Sequence, residues 1–136
     1  MLPELRAFAA FYGTKRSLYP GDEHAAQIVG KLILGQYVRV AERVDGVPVG
    51  FLAASLIPHW LNPEIRVAAE VFWWVPVEHR RSLAGAMLLA AYIEWGRAHA
   101  DWVCLTLEAD TPVKADSLLR RGFRAHERQY LLEVGA

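Results

Sequence analysis

Arg80, Arg81, Ser82, Leu83, Ala84, Gly85 and Ala86 place two cationic side chains ahead of a run that is mostly small, just before an apolar helical pattern. A helix N-terminus leaves about four backbone N–H groups without intrahelical partners and carries partial positive charge, so it favours anions and phosphates above all. The small side chains of Ser82, Ala84, Gly85 and Ala86 let a ligand approach that backbone. Arg80 and Arg81 add charged donors at an end where, with no anion present, they oppose the helix dipole. A solvated Arg-Arg-Ser loop without a ligand is the alternative reading.

Groups able to move a proton stand elsewhere in the chain. If residues 65–75 form one regular strand, Arg66, Ala68, Glu70, Phe72 and Trp74 share a side. A carboxylate on that apolar side is desolvated, holds its proton more tightly and can act as a base, directly or through water. An ion pair with Arg66 accounts for Glu70 equally well. Tyr130 can supply an acid or simply pack on a strand. His59 and Trp60 follow a hairpin strand at a loop where an acceptor substrate can enter; His59 also suits an ordinary turn, and Trp60 a contact between two copies of the chain. The five histidines, His24, His59, His79, His99 and His126, have no spacing that assembles a metal site with Asp, Glu or Cys104, so no metal is expected.

The elements that would position these groups follow from periodicity. Leu2, Leu5, Phe8 and Phe11 predict a short opening helix that stops by Gly13. Asp22 can cap a second helix, with Ala25, Ile28, Val29, Leu32 and Ile33 on one side and Gly35 just past its end. From Gln36 the period becomes two. Tyr37, Val38, Val40 and Val44 lead into Asp45-Gly46, a strong hairpin signal, and residues 47–57 lead out again. Pro58 and Asn62-Pro63 mark the next loop, and residues 65–75 read as a third strand, antiparallel like the first two. A broad apolar face on Leu88, Leu89, Ala91, Tyr92, Ile93, Trp95 and His99 predicts a helix packed on a sheet. Residues 102–107 read as a central strand, Thr111-Pro112 starts a last helix that Gly122 ends, and residues 123–134 read as a final strand. Trp73, Trp74, Trp95 and Trp102 are expected in the core.

Composition narrows the function classes. The chain has 136 residues, 54% of them apolar, enough for one domain with a single core. Lys plus Arg and Asp plus Glu each number 15, which leaves no basic field for nucleic acid. The single cysteine, Cys104, sits in an apolar run and reads as a buried thiol in a reducing compartment. No stretch approaches the roughly 20 apolar residues of a membrane span, and the start of the chain lacks the apolar core of a signal peptide. A soluble cytoplasmic protein is expected.

The segment from Arg80 to Ala86 resembles the acetyl-CoA loop of the GCN5-related N-acetyltransferase (GNAT) family, Gln/Arg-x-x-Gly-x-Gly/Ala, with Arg80 first, Leu83 at the first glycine and Gly85 at the last. Trp73-Trp74-Val75 resembles the strand whose backbone pairs with the pantetheine arm, and Leu118-Leu119-Arg120-Arg121-Gly122-Phe123 resembles the ending of the family's last helix, Tyr-x-x-x-Gly-Phe. The chain looks most similar to small acetyltransferase-like proteins of phages and prophages: Ala69-Glu70-Val71-Phe72-Trp73-Trp74 resembles their Glu-Leu-Phe-Trp-type strand ahead of the loop. The resemblance covers roughly residues 36–134. It implies an α/β (α+β) GNAT fold in one domain, residues 1–136, with a mixed, mostly antiparallel sheet, two N-terminal helices, a central CoA-binding helix and a C-terminal helix. It implies acetyl-CoA as cosubstrate and transfer to a small-molecule or peptide primary amine, with Trp73, Trp74, Val75 and the loop as cofactor-binding residues. Leu83 departs from the glycine and Leu118 from the tyrosine acid; both keep open a catalytically degenerate acyl-CoA-binding or assembly module. Thr111 also departs, from a common asparagine. A tRNA-acetylating toxin is a third option, which the zero net charge disfavours.

Overall fold

The structure, a computed structural model, describes residues 2–11, 17–35, 37–42, 45–108 and 111–135, with main chain only for residues 38–42. Gly13, Gln36 and Val44, the expected bounds of the first helix and of the first strand, lie outside the described residues, as do residues 14–16 of the loop before Asp22. The chain forms two compact units, Met1–Leu105 and Thr106–Ala136.

The first unit holds α1 (Leu2–Phe11), α2 (Asp22–Gly35), β1 (Tyr37–Glu42), β2 (Pro48–Pro58), β3 (Arg66–Trp74), a single 3-10 turn (Val77–His79), α3 (Ala84–His99) and β4 (Trp102–Cys104). The sheet order is β1-β2-β3-β4, with β1 and β2, and β2 and β3, antiparallel, and β3 and β4 parallel. Asp45-Gly46 turns the first hairpin as the sequence predicts. Gly46 has φ +82°, a conformation open to glycine, and the Asp45 carboxylate accepts the Val47 N–H at 3.2 Å. Residues 102–107, expected as a central strand, form only three residues of strand at the end of the sheet, and Trp102 there is 37% exposed and not core.

Layers form on both faces of the sheet. On one, Phe51, Ala53 and Phe72 are buried against Leu5 and Phe8 of α1 and Leu32 of α2. Phe8 meets Phe72 edge-on at 4.9 Å and Trp74 at 6.0 Å, contacts of about 0.5–1.5 kcal/mol each beyond the area they bury. The stripe expected on α2 is only partly used: Ala25 is buried and Leu32 packs against the core, while Ile28 and Ile33 are exposed. Asp22 does more than open α2. Its carboxylate accepts from Arg6 at 2.6 Å and from the Tyr19 hydroxyl, tying α1 to α2, and these bonds, the Tyr19 one foremost, hold its pKa below the usual carboxylate range.

On the other face α3 buries Ala84, Leu88, Leu89, Tyr92 and Gly96, the spacing of a helix laid on a sheet. Glycine sets how close it lies. A Cβ on Gly96 would stand 2.4 Å from Val103 Cγ2, and one on Gly50 would stand 3.0 Å from Leu88 Cδ1.

The second unit contains α4 (Ala115–Leu119), five residues and not the longer helix expected from Thr111. The Thr111 hydroxyl accepts the Val113 N–H at 3.2 Å, so Thr111-Pro112 makes a turn ahead of the helix. Gly122, at φ +92°, ends it as predicted, with the Phe123 N–H returning to the Leu118 carbonyl at 3.1 Å. The final strand expected over residues 123–134 does not form: these residues have no strand partner among the described residues, and Tyr130, Leu131, Leu132 and Val134 are exposed. Alternating apolar residues favour a strand only where another strand supplies the ladder.

Candidate active site

β3 and β4 pair only from Val67 opposite Trp102 to Ala69 opposite Cys104. β4 ends at Cys104 while β3 continues to Trp74, so the ladder stops at Ala69 and leaves a fork in which the flank of β3 on that side has no strand partner among the described residues. A strand flank released in this way offers main-chain donors and acceptors to an extended ligand that carries amides.

The side chains at the fork are set by a bulge. Ala54 stands opposite Glu70 but Ala53 opposite Phe72, which leaves Val71 as an extra residue on β3. The expected sharing of one side by Arg66, Ala68, Glu70, Phe72 and Trp74 is therefore broken. Phe72 and Trp74 lie on the α1 face, while Glu70, paired with Ala54, lies with Ala68 and Trp73 on the α3 face. Glu70 is half-buried there, and its charge is felt by the Tyr92 hydroxyl of α3, whose pKa is pushed well above the ordinary tyrosine range by burial first and by Glu70 second.

From Trp74 the chain turns through Val75 and Pro76 into α3. The Ser82 hydroxyl donates to the His79 carbonyl at 2.6 Å and accepts the Ala84 N–H at 3.2 Å; Met87 N–H reaches the Leu83 carbonyl at 2.9 Å. Gly85 and Ala86 are left with backbone N–H groups that have no acceptor among the described residues. They open a 16-residue helix, long enough to present a full terminal dipole. Neither conformation nor packing requires glycine at 85: its φ is not positive, and a Cβ there would meet Val75 Cγ2 at 3.7 Å and Trp73 Cζ2 at 3.8 Å, ordinary contact distances. Leu83, in place of a glycine, has φ −79° and a side chain 74% exposed, so it leaves the loop backbone uncrowded.

Arg80 is engaged with the end of β3. Its Nε donates to the Val75 carbonyl at 2.9 Å, and its guanidinium lies 4.8 Å above the Trp74 ring. Arg81 is exposed. Below α3, the Trp73 indole N–H is buried without an acceptor among the described residues, an arrangement that costs about 1–3 kcal/mol until an acceptor is supplied. Trp73, Trp74, Val75 and residues 80–86 are thus brought to one end of β3, with Glu70 at the fork behind them.

His59 and Trp60 lie at the opposite end, before β3 begins. His59 Nδ1 accepts the N–H groups of Leu61 at 3.1 Å and Asn62 at 3.4 Å, and its ring meets Trp102 edge-on at 5.1 Å. Trp60 is 87% exposed on this ordered loop. Tyr130 belongs to the second unit and is 82% exposed. Sequence reasoning missed Tyr92 as more than core, although a tyrosine in a buried apolar face must find partners for its hydroxyl. No signal marked the bulge, since Val71 is an ordinary strand residue.

Among the described residues no group of three or more His, Cys, Asp or Glu side chains is arranged to hold a metal, and no helix is long and apolar enough to cross a membrane. The sequence profile of the acetyltransferase (GNAT) family matches residues 7–123. The chain belongs to that family, an acyl-transferring enzyme of the N-acetyltransferase class. No curated protein matches it in sequence. Among solved structures it is similar to an acetyltransferase of Trypanosoma brucei (21% identity, TM-score 0.67, covering 98% of this chain and 95% of that one). It is also similar to a ribosomal-protein-alanine N-acetyltransferase from Brucella melitensis biovar Abortus 2308 (19%, TM-score 0.69, 98% and 88%). A third is an aminoglycoside acetyltransferase from an uncultured soil metagenomic sample in complex with sisomicin (22%, TM-score 0.62, 99% and 89%). At these identities the likeness is one of fold.

Proposed function

We propose that the chain, acting as one domain, transfers an acetyl group from acetyl-CoA to a primary amine by direct attack. The observation that carries this reading is the fork: β3 leaves β4 at Ala69 and leads to a helix N-terminus whose Gly85 and Ala86 N–H groups have no acceptor among the described residues. Those groups, with Arg80 and Arg81, suit a pyrophosphate, and the released flank of β3 at Trp74 and Val75 suits an amide-bearing arm. The buried Trp73 N–H adds a donor awaiting an acceptor. The amine class is supported by similar folds named as a ribosomal-protein-alanine N-acetyltransferase and as an aminoglycoside acetyltransferase.

In the reaction a neutral amine nitrogen attacks the thioester carbonyl carbon, the C–N bond forms, and the C–S bond breaks with its electron pair leaving on sulfur. Glu70 accepts the proton lost by nitrogen. The thiolate, a good leaving group, takes a proton from water, so Leu118 at the position of the family's tyrosine acid does not block turnover. That same buried leucine favours a second reading, a binding module that retains the acyl-CoA site without turnover.

Calorimetric titration with acetyl-CoA tests the site. Wild type is expected to bind with a Kd of about 1–100 μM, and Arg80→Ala/Arg81→Ala to give no detectable heat. Because Arg80 also braces Val75, the melting temperature of the double variant is read alongside. No binding by wild type, by heat or by thermal shift, overturns the proposal; binding without turnover on any of a panel of amines selects the second reading. Gly85→Ala separates ligand from fold. The variant should melt no lower than wild type, helix propensity favouring alanine by about 0.5–1 kcal/mol, yet bind acetyl-CoA about tenfold more weakly, since its methyl intrudes where the phosphates approach. Unchanged affinity in Gly85→Ala would place the phosphates elsewhere.

A further inference from the structure

The Tyr92 ring is wholly buried between α3 and the sheet. Its hydroxyl lies 2.9 Å from the Ala68 carbonyl of β3 and 2.7 Å from the Cys104 carbonyl of β4, at the last rung before the strands fork. A phenol carries one proton, so it serves these two carbonyls in alternation or by sharing, and in either state it links both strands to the helix. The ring itself has little freedom: Trp95, one turn along α3, lies 6.3 Å away nearly parallel, and Tyr37 of β1 lies 6.1 Å away. One turn of α3 beyond Tyr92, Gly96 lets the helix settle onto Val103, which brings the hydroxyl within reach of both strands.

We propose that Tyr92 is a positioning residue: by pinning the end of the β3–β4 ladder to α3, its hydroxyl fixes where the strands part and so holds Glu70 in register with a thioester in the fork. The proposal rests on the reading of Glu70 as the proton acceptor. Its importance follows from scale. Glu70 directly follows the last β3–β4 rung, so a rung that frays frees its backbone to shift on the β4 side, and a misplacement of roughly 1 Å at a reacting group costs about a hundredfold in rate. The phosphate-binding end of α3 is two helical turns away, about 12 Å, and does not depend on this hydroxyl. Burial keeps the phenol protonated through the physiological range, so the pin is always a donor.

Tyr92→Phe keeps the ring and removes the pin. Amide hydrogen exchange at Glu70 should accelerate at least tenfold more than at Phe51 and Leu52 in the sheet interior. With a working amine, kcat should fall about ten- to a hundredfold while the Kd for acetyl-CoA stays within threefold. A uniform rise in exchange across the sheet, or a kcat unchanged in Tyr92→Phe but lost in Glu70→Gln, overturns the inference. If Glu70→Gln itself turns over normally, the reading of Glu70 fails separately, and the exchange result alone decides whether Tyr92 pins the fork. Should Tyr92→Phe not fold, native-state exchange of wild type in low denaturant decides: Glu70 must exchange only with global unfolding, and local fraying with Tyr92 intact refutes the pin.

Discussion

Glu70→Gln is expected to lower kcat for acetyl transfer by about 10²–10⁴, the usual contribution of a positioned general base, equivalent to about 3–5 kcal/mol of barrier. The substitution keeps the shape of the side chain and removes its capacity to take a proton. Affinity for acetyl-CoA should hold within a factor of about three, because the phosphates are assigned to the far end of β3. Steady-state kinetics with a competent amine, paired with calorimetry, checks both halves. Turnover within about threefold of wild type would return Glu70 to the role of a half-buried structural carboxylate and require the attacking amine to shed its proton to water.

Gly96→Ala should be the most damaging small substitution in the fold. Its methyl would lie 2.4 Å from Val103 Cγ2 and 3.3 Å from Cγ1, well inside contact distance. Either α3 rises from β4 or Val103 leaves its rotamer, at a cost of about 1–3 kcal/mol that exceeds the 0.5–1 kcal/mol gained from helix propensity. A drop in Tm of about 2–8 °C is expected. Val103→Ala removes the colliding methyls, so the double variant should recover part of the loss, and the two changes should be non-additive by about a kcal/mol or more. An unshifted Tm in Gly96→Ala would mean that the helix rides higher on the sheet.

Much of this molecule could be read from its letters. Asp45-Gly46 announced the first hairpin, the switch from period two to a broad helical face announced α3, and the arginines beside small residues marked the helix entrance. Local chemistry decides those features, so local sequence carries them. What escaped depends on neighbours distant in the chain. Tyr130, Leu131, Leu132 and Val134 have the composition of a strand, but composition does not supply the partner, and these residues stand exposed. Leu83 stands where the family pattern has a glycine, yet the residue is exposed, a direction that its type alone does not reveal. Glu70 was identified as a residue and misplaced as to its neighbours, since a bulge at Val71 arises from how β3 pairs with β2 and leaves no mark on valine.

That bulge gives β3 an unusual kind of constraint. Ahead of Val71 the strand keeps time for the α3 face, with Ala68 and Glu70 in phase; behind it Phe72 and Trp74 keep time for the aromatic layer under α1. Many side chains can occupy position 71, because the residue is surplus to both rhythms. Its presence is another matter. Losing or gaining one residue between Glu70 and Phe72 would shift one rhythm against the other and send either the carboxylate or the aromatic wall through the sheet. In a lineage of such chains, this short stretch should drift in spelling while its length stays fixed.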